Sequence, residues 1–169
     1  KAVPEDIPLV SDILGETFSD DPILNWILPD PAEYKRYFQY ICKYLYIMHN
    51  QVYITQKGTG TALWLPPGIS ANKVPFKGLV KILFAILKHG GFKGLQRSVY
   101  AMDFMEKYHY QKPHYYLHAI GVKKESRKKG IGSALLNTIL NRCDQENIPA
   151  FLETSRESNL SLYHKHGFK

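Results

Sequence analysis

The alternation of strand and helix patterns in the second half of the chain constrains the fold more than any other sequence feature. Residues 114–122 form an aromatic, β-branched run that predicts a strand, and 131–146 place apolar residues at helical spacing. A second strand is predicted over 148–155, and a short helix over 159–167 follows it. A strand, a helix and a strand in this order form a parallel unit, so the pattern predicts an α/β fold.

The first half of the chain is mainly helical in its pattern, with one hairpin. Helical spacing covers 4–18 and 32–48, and two β-rich segments around "KGTG" predict a hairpin over 51–66. Residues 72–110 predict two helices that are separated by "HGGFKG" at 89–94. Because the 169 residues are 44% hydrophobic and contain no obvious linker, we expect a single domain with its own core.

Composition limits the partners and the compartment that the chain suits. The net charge of +7 favours an anionic partner, which could be nucleic acid, a membrane or a small phosphorylated ligand. The two cysteines lie in separate helical patterns and show neither a disulfide framework nor a zinc spacing, so we expect a reducing, cytoplasmic location and no metal site. The longest apolar run, 82–87, is too short to span a bilayer, and we expect no stable membrane association.

A basic stretch leads into two glycines at the start of the helix over 131–146. Residues 123–129 carry five positive charges and one negative charge, and Gly130 and Gly132 follow. Free N–H groups and the positive end of the helix dipole make such a turn suited to a phosphate. A P-loop would need a lysine after its turn, and a Rossmann turn would need a third glycine where Leu135 stands. A solvated basic loop is the plain alternative.

Three motifs carry a resemblance to the GCN5-related N-acetyltransferase (GNAT) superfamily. "RKKGIG" at 127–132 matches its arginine/glutamine-x-x-glycine-x-glycine/alanine motif. "FLETSRESNLSLYHKHGF" at 151–168 resembles its second signature, in the wording of the puromycin N-acetyltransferase group. "YLHAIGV" at 116–122 resembles the matching strand of arylalkylamine N-acetyltransferases, which have a histidine where His118 stands. The strong resemblance covers 114–168.

The resemblance implies a mixed central sheet flanked by helices, with two splayed central strands that hold acetyl-CoA between them. Further strands precede and follow the matched region in the family, so we expect residues 1–169 to be a single GNAT domain that lacks terminal strands. The pantetheine arm would contact Ile120, Gly121, Val122 and Asn159. The predicted pyrophosphate contacts are Arg127, Lys128, Lys129, Gly130, Ile131, Gly132 and Ser133. Many members have glycine where Lys128 stands, which puts the shape of the loop in question.

The resemblance also implies acetyl transfer to an amine, with a tyrosine as the general acid. Tyr163 matches the position that protonates the leaving thiolate. The base is either His118 or Glu153, and water relays are a further alternative. Because strand residues alternate, His118 is expected on the face that carries Ile120 and Val122.

The predicted function is N-acetyltransfer from acetyl-CoA to a primary amine of a small molecule. The alternatives are a CoA-binding protein without catalysis and a basic nucleic-acid-binding domain, although the concentration of charge at one turn argues against nucleic acid. Asp20, Asp21 and Trp26 are either acceptor contacts or a helix-ending turn. The amphipathic run 76–88 suits a membrane surface or, as we expect, a lid helix on the core. His164 and His166 are expected at the surface, and the oligomeric state is open.

Overall fold

The computed structural model describes all residues 1–169 as a four-stranded mixed sheet with helices on both faces. The strands are β1 (Val52–Ile54), β2 (Gly60–Leu65), β3 (Tyr115–Val122) and β4 (Ala150–Leu152), in the order β1-β2-β3-β4. The first three are antiparallel neighbours, whereas β3 and β4 run parallel. The predicted hairpin, the parallel unit and the mixed sheet are therefore confirmed.

Six helices connect and cover the strands. They are α1 (Ile7–Thr17), α2 (Pro22–Ile27), α3 (Tyr34–Ile41), α4 (Phe76–Tyr108), α5 (Ile131–Glu146) and α6 (Leu160–Lys165). The predicted helix over 32–48 begins as α3 and continues through a π-helical turn, Cys42–Tyr46. The predicted break within 72–110 lies at Gly91, whose φ of 64° and ψ of −166° interrupt α4.

The short helix α2 was not predicted, because the loop with Asp20 and Asp21 was interpreted as acceptor contacts or as a turn that ends α1. Asp21 caps α2 by accepting hydrogen bonds from the N–H groups of Ile23 and Leu24, at 3.0 and 2.9 Å. Pro22 occupies the first helical position, where a missing N–H costs nothing. The same residues that end α1 therefore begin α2.

Two core clusters fill the two faces of the sheet. The first core cluster packs α1 and α3 against one face and includes Leu14, Phe38, Tyr46, Leu63 and Tyr116. The second core cluster packs α5 and α6 against the other face and includes Trp64, Leu117, Leu136, Ile139 and Tyr163. Burial of each large apolar side chain contributes about 1.5–3 kcal/mol, so both clusters hold the sheet between its helices.

The strands β3 and β4 separate after three residue pairs. Tyr115 is opposite Ala150 and Leu117 is opposite Leu152, and no pairing follows. This ends β4 at Leu152, earlier than the predicted boundary at residue 155, because the chain beyond has no neighbouring strand to pair with. The predicted splay of the central strands is thus confirmed, and it leaves the second half of β3 with an open edge.

The helix α4 packs closely on α2 through small residues and leaves an apolar face exposed. A Cβ on Gly90 or Gly94 would lie 2.4 or 2.6 Å from the carbonyl oxygen of Ile27, so only glycine allows this approach. The outer face exposes Phe76, Phe84, Leu87 and Phe92, among others. None of the helices combines the length and the apolar character that a membrane crossing would need.

Candidate active site

The glycine turn before α5 needs two residues in the left-handed region. Lys128 has φ of 60° and Gly130 has φ of 78°, and α5 begins directly after Gly130 without a side-chain cap. Such dihedrals are costly for a lysine and cheap for glycine, which explains why relatives of this loop have glycine where Lys128 stands. The turn keeps its left-handed shape in spite of that departure, and its first helical N–H groups stay available to a ligand.

The contacts of Gly132 within the fold do not require a glycine at this position. A Cβ built there would meet only the Leu162 Cδ2 atom, at 3.5 Å, which is an ordinary contact. Its backbone is helical and needs no glycine either. A group bound against the N-terminus of α5 would explain the missing side chain, because it could approach the backbone closely. The residues present therefore fit a pyrophosphate.

The side chains of the turn are held by local contacts. Arg127 Nε donates to the Val122 carbonyl at 3.1 Å, and Lys129 Nζ donates to the Glu125 carbonyl at 2.9 Å. Both cations are exposed, as is Lys128, so their charge faces solvent at the rim of the turn. This arrangement raises the local concentration of anions without occupying the backbone N–H groups.

His166 lies against this turn, which was not expected. Its Nε2 atom is 2.9 Å from the Ser133 hydroxyl, and the side chain is half-buried. The expected surface position holds for His164, which is exposed and contacts the Phe168 carbonyl at 3.0 Å. No spacing rule links residues 33 positions apart, so only the packing of α6 on α5 brings the imidazole to the turn.

The open edge of β3 presents backbone groups of two residues to the gap. The Lys123 N–H donates to the Thr59 carbonyl across β2, and antiparallel bonding alternates, so Ile120 and Val122 turn their N–H and C=O groups away from β2. Gly121 instead pairs with β2, and a Cβ there would lie 2.9 Å from the Thr17 hydroxyl. Gly121 thus lets α1 approach. Ile120 can bond a ligand in the gap through both backbone groups, and Val122 through its N–H, because Arg127 already donates to its carbonyl.

A β-bulge moves His118 to the face opposite to the one expected. Leu63 is opposite Ala119 and Trp64 is opposite Leu117, so His118 is an extra residue without a partner. Its ring lies 5.0 Å from the ring of Tyr46, in the first core cluster, while Ile120 and Val122 pack against the second core cluster. The expectation that His118 shares their face is therefore wrong, because the bulge breaks the alternation.

Four buried polar atoms on this first face lack hydrogen-bond partners. They are the Tyr46 hydroxyl, His118 Nδ1, Glu153 Oε2 and the Thr17 hydroxyl. The ring of Tyr116 lies among these groups, 6.0 Å from that of His118. A buried polar atom without a partner costs about 1–3 kcal/mol, and native proteins contain few of them. A polar ligand that enters from the gap would supply the missing partners.

Burial changes the proton affinities in this cluster. Desolvation lowers the pKa of His118 to about 4, so its imidazole is neutral at pH 7 and attracts protons weakly. Desolvation, and then the nearby Glu153 carboxylate, raise the pKa of the Tyr116 phenol far above its usual range. The pKa of Tyr46 is likewise raised, mainly by burial. Both phenols therefore stay protonated and can donate hydrogen bonds.

Glu153 follows β4 and faces this first cluster. Its Oε1 atom is 3.2 Å from His109 Nδ1, while Oε2 is the unpartnered atom. His109 comes directly after α4, and its ring packs against the rings of Tyr116 and Phe151, with centroids 5.0 and 4.9 Å apart. Sequence reasoning did not identify His109, because 44 residues separate it from Glu153 and no motif includes it.

Tyr163 lies on the other face of the sheet. It is 6% exposed in the second core cluster, and its ring meets Phe168 edge-on at 5.9 Å. Burial raises the pKa of its phenol, so it stays protonated at neutral pH. Asn159 stands nearby in sequence and donates weakly to the Thr154 hydroxyl, at 3.5 Å. The candidate acid and the two candidate bases therefore flank the gap from opposite faces.

The acidic loop after α1 has structural contacts instead of a free carboxylate. Asp20 pairs with Arg156, and Asp21 is buried, caps α2 and accepts a hydrogen bond from Ser155. Trp26 packs under the Arg97 guanidinium, 5.4 Å from its ring centroid. The loop thus joins α1 to the segment after β4, as a helix-ending turn would, and it fixes one wall of the first face.

One group of potential metal ligands occurs, although none was expected. The ligand atoms of Asp30, Glu33 and His89 lie within 4.8 Å of one another. Arg36 already pairs with Glu33 at 3.0 Å, and a guanidinium beside the same carboxylate opposes a cation. The group therefore has the chemistry of a surface ion-pair network.

Comparisons with known proteins show what the chain is similar to. Residues 94–168 match the model of the acetyltransferase (GNAT) family. An N-acetyltransferase of Schizosaccharomyces pombe, itself uncharacterised, is 26% identical over 170 residues, which cover 92% of this chain and 67% of that protein.

Solved structures share the architecture. A protein of Corynebacterium glutamicum described as histone acetyltransferase HPA2 and related acetyltransferase has a TM-score of 0.67 and 26% identity, over 99% of this chain and 82% of that one. Arylalkylamine N-acetyltransferase 2 of Aedes aegypti has a TM-score of 0.62 at 14% identity, over 99% and 80%, and shows likeness of fold alone. The fold is thus that of the GNAT acyltransferases. The family match over 94–168 and these relatives make the chain similar to acetyltransferases of the GNAT superfamily.

Proposed function

We propose that the protein transfers the acetyl group of acetyl-CoA to a primary amine of a small molecule by direct attack. The observation that carries the proposal is the gap between β3 and β4. It has the glycine turn with Gly132 on the side of α5, and the unpartnered groups of His118 and Glu153 on the side of the first core cluster. A thioester and an amine that enter from opposite faces would meet in this gap.

The turn and the open edge of β3 are the proposed binding surface for the co-substrate. N–H groups at the start of α5, with Arg127 and Lys129 at the rim, would hold the pyrophosphate. Ile120 and Val122 would bond the pantetheine arm as a neighbouring strand does. Acetyl-CoA supplies the activated acetyl group as a thioester. A backbone N–H of the β3 edge would hold the carbonyl oxygen as negative charge develops on it.

Glu153 is the better candidate for the base. It presents an unpartnered oxygen, Oε2, and a negative charge that attracts an ammonium substrate. The neutral His118 imidazole, whose pKa is lowered to about 4, would take a proton from an amine with little driving force. His118 and the Tyr46 hydroxyl are instead suited to orienting the amine by hydrogen bonds. The rings of Tyr46 and Tyr116 favour a cationic amine in the same place.

Tyr163 is the proposed acid on the opposite face. Its phenol is protonated at neutral pH, and a thiolate with a conjugate-acid pKa of about 8.5 can take its proton at modest cost. The buried position keeps water from competing for this proton.

The test compares matched variants of the two candidate bases. Acetyl-CoA binding is measured by thermal shift, and thiol release is then followed across a set of primary amines. We expect Glu153→Gln to lower kcat by about 10²–10⁴ with unchanged affinity for acetyl-CoA, whereas His118→Gln lowers kcat much less. The reverse order would make His118 the base. Binding without thiol release for any amine would favour a CoA-binding protein without catalysis.

The dependence of binding on salt concentration distinguishes the proposed acetyltransferase from a basic nucleic-acid-binding domain. DNA binding by phosphate contacts weakens by orders of magnitude between low and moderate salt, while binding of one pyrophosphate loses far less.

A further inference from the structure

We propose that His109 and His114 form a proton relay that carries the proton accepted by Glu153 to the protein surface. The inference rests on the proposed role of Glu153 as the base. It concerns two residues that no motif of the sequence includes. Neither ring is placed against the gap itself, so their role is to serve Glu153 and not to touch the substrate.

Three consecutive contacts connect Glu153 to the surface. Glu153 Oε1 lies 3.2 Å from His109 Nδ1, and His109 Nε2 lies 3.1 Å from His114 Nε2. His114 Nδ1 then lies 2.7 Å from the carbonyl oxygen of Lys112, on an exposed turn between α4 and β3. Both nitrogens of each imidazole are therefore used, one on the side of Glu153 and one on the side of the Lys112 carbonyl.

Aromatic packing fixes the positions of the two rings. The centroids of His109 and His114 are 4.9 Å apart, and Phe151 meets both rings nearly edge-on, at 4.9 and 5.5 Å. Tyr116 borders them on the side of β3, at 5.0 and 6.4 Å. The aromatic rings hold the neighbouring nitrogens in position, although the His109 and Glu153 side chains are still 25% and 27% exposed.

The number of protons that the three contacts require supports the relay. The Lys112 carbonyl and the Glu153 carboxylate can only accept hydrogen bonds. Three contacts between two acceptors at the ends therefore need three protons, but two neutral imidazoles carry only two. With neutral rings one of the three contacts therefore has no proton, whichever tautomers the rings adopt. The chain can take up one proton more than its neutral rings supply, and that proton is the one that the amine would give up.

The proposed transfer moves the acetyl group to the amine and one proton from the amine to water. The amine nitrogen forms its bond to the acetyl carbon, its N–H proton goes to Glu153, and the C–S electron pair leaves with sulfur, which takes the Tyr163 proton. Glu153 passes its proton to His109 Nδ1, and His109 passes its Nε2 proton to His114 Nε2. His114 Nδ1–H then leaves the Lys112 carbonyl and releases its proton to water. Ring flips restore the tautomers, and the Tyr163 phenolate regains a proton from water. Nothing is oxidised or reduced.

The first measurement does not depend on activity. Nuclear magnetic resonance of protein with ¹⁵N-labelled histidine follows both rings between pH 5 and 8 in the wild type and in His114→Gln. Glu153, Tyr116 and Tyr110 are the other ionisable groups that face the two rings. We expect the rings to titrate together, so that His114→Gln changes the titration of His109. Independent titration of the two rings would overturn the relay, whatever the activity.

The second measurement tests the function of the chain. We expect His114→Gln to lower kcat about tenfold or more, within the range of general acid–base effects, with unchanged affinity for acetyl-CoA. Imidazole in the buffer should restore much of kcat in His114→Ala, which a purely structural role would not predict. The control His49→Gln, which changes a half-buried histidine outside the chain of contacts, should leave kcat unchanged.

The outcomes separate the two proposals. Coupled titration with unchanged kcat in His114→Gln, or a loss that imidazole does not reverse, overturns the relay and leaves the acetyltransferase standing. If the wild type transfers acetyl to none of the amines although the rings titrate together, the proposed function fails and the catalytic role of the relay fails with it.

Discussion

The two faces of the sheet differ in how their polar groups are satisfied. On the face of the second core cluster, the Tyr115 hydroxyl donates to Glu146 at 2.7 Å, and Glu146 also pairs with Arg142 at 2.9 Å. On the face of the first core cluster, His118 and Glu153 have buried atoms without partners. On the second face the buried Trp64 Nε1 also lacks a partner, but an indole does not ionise. The unpartnered ionisable groups lie on the first face, which is typical of a surface prepared for a ligand.

The two faces also differ in how far apart in the sequence their residues lie. The glycine turn on the second face consists of consecutive residues whose backbone N–H groups all belong to one helix start. The first face combines Tyr46, His109, His118 and Glu153 from four separate segments. A turn made by local backbone leaves a motif in the sequence, whereas residues brought together by tertiary packing, such as Tyr46 and His109, carry no such signal.

Among the variants that compare the two faces, we expect the largest effect from Tyr163→Phe, which tests whether the second face takes part in the chemistry. Tyr163→Phe keeps the ring in its packed place beside Phe168 and removes the proton donor for the leaving thiolate. We expect kcat and kcat/KM to fall together by about 10², with affinity for acetyl-CoA changed no more than a few-fold. Steady-state kinetics and calorimetry measure the two quantities, and the alkaline limb of the pH profile should move or vanish.

The matched control is a tyrosine of the same core cluster that lies away from the gap. Tyr115→Phe removes the hydroxyl that donates to Glu146 and should cost about 1 kcal/mol of stability with kcat unchanged. If Tyr163→Phe kept more than about half of the wild-type kcat, Tyr163 would be a core aromatic residue. The chemistry would then lie on the first face alone.

The fold was predictable where periodicity and turn chemistry act locally. The strand over 114–122 and the helix over 131–146 are found within one residue of their predicted ends, because each is long, regular and bounded by turn residues. The short strand β4 was predicted too long, since its length depends on where β3 leaves it and not on its own residues.

The site was predictable only in part, for the same reason. The turn from Arg127 to Ser133 is a motif, and its left-handed residues follow from local backbone. The face of His118 was predicted wrongly, because the bulge arises from the register of β3 against β2. His109 and His166 carried no signal, since their contacts depend on packing between distant segments.

A smaller effect, on the pH dependence of stability, is expected from the buried His118. Measuring it tests whether the first face is destabilised. Its folded-state pKa of about 4 lies below the usual 6.5, so as the pH falls below 6.5 the unfolded chain binds a proton that the folded chain does not. The free energy of unfolding should therefore decrease by about 1.4 kcal/mol per pH unit, or about 2 kcal/mol between pH 6.5 and 5.

His118→Gln should lose this contribution, which denaturant unfolding at pH 7, 6 and 5 would measure. The stability of the wild type relative to the variant should decline toward pH 5. The control His164→Gln removes an exposed histidine and should follow the wild type. Parallel decreases in the wild type and in His118→Gln would mean that water reaches this imidazole, and the contrast between the two faces would weaken.

The smallest effect is expected from Gly132→Val. This variant tests ligand binding at the glycine turn without a large change in the stability of the second face. The new Cβ would meet only Leu162, at 3.5 Å, and valine is no worse than glycine in a helix, so stability should change by less than about 1 kcal/mol. The branched side chain would crowd a pyrophosphate at the start of α5. We therefore expect calorimetry to show affinity for acetyl-CoA about tenfold weaker, or about 1.4 kcal/mol.

Ala134→Val is the control, because it adds the same branching to an exposed residue two positions further along α5. It should leave the affinity unchanged, and Gly132→Ala should lie between the two. Unchanged affinity in Gly132→Val would mean that the pyrophosphate does not approach this backbone. The glycine turn would then not be a binding site, and the second face would lack the local site that distinguishes it from the first. The contacts of Gly132 within the fold give no other reason for a glycine there.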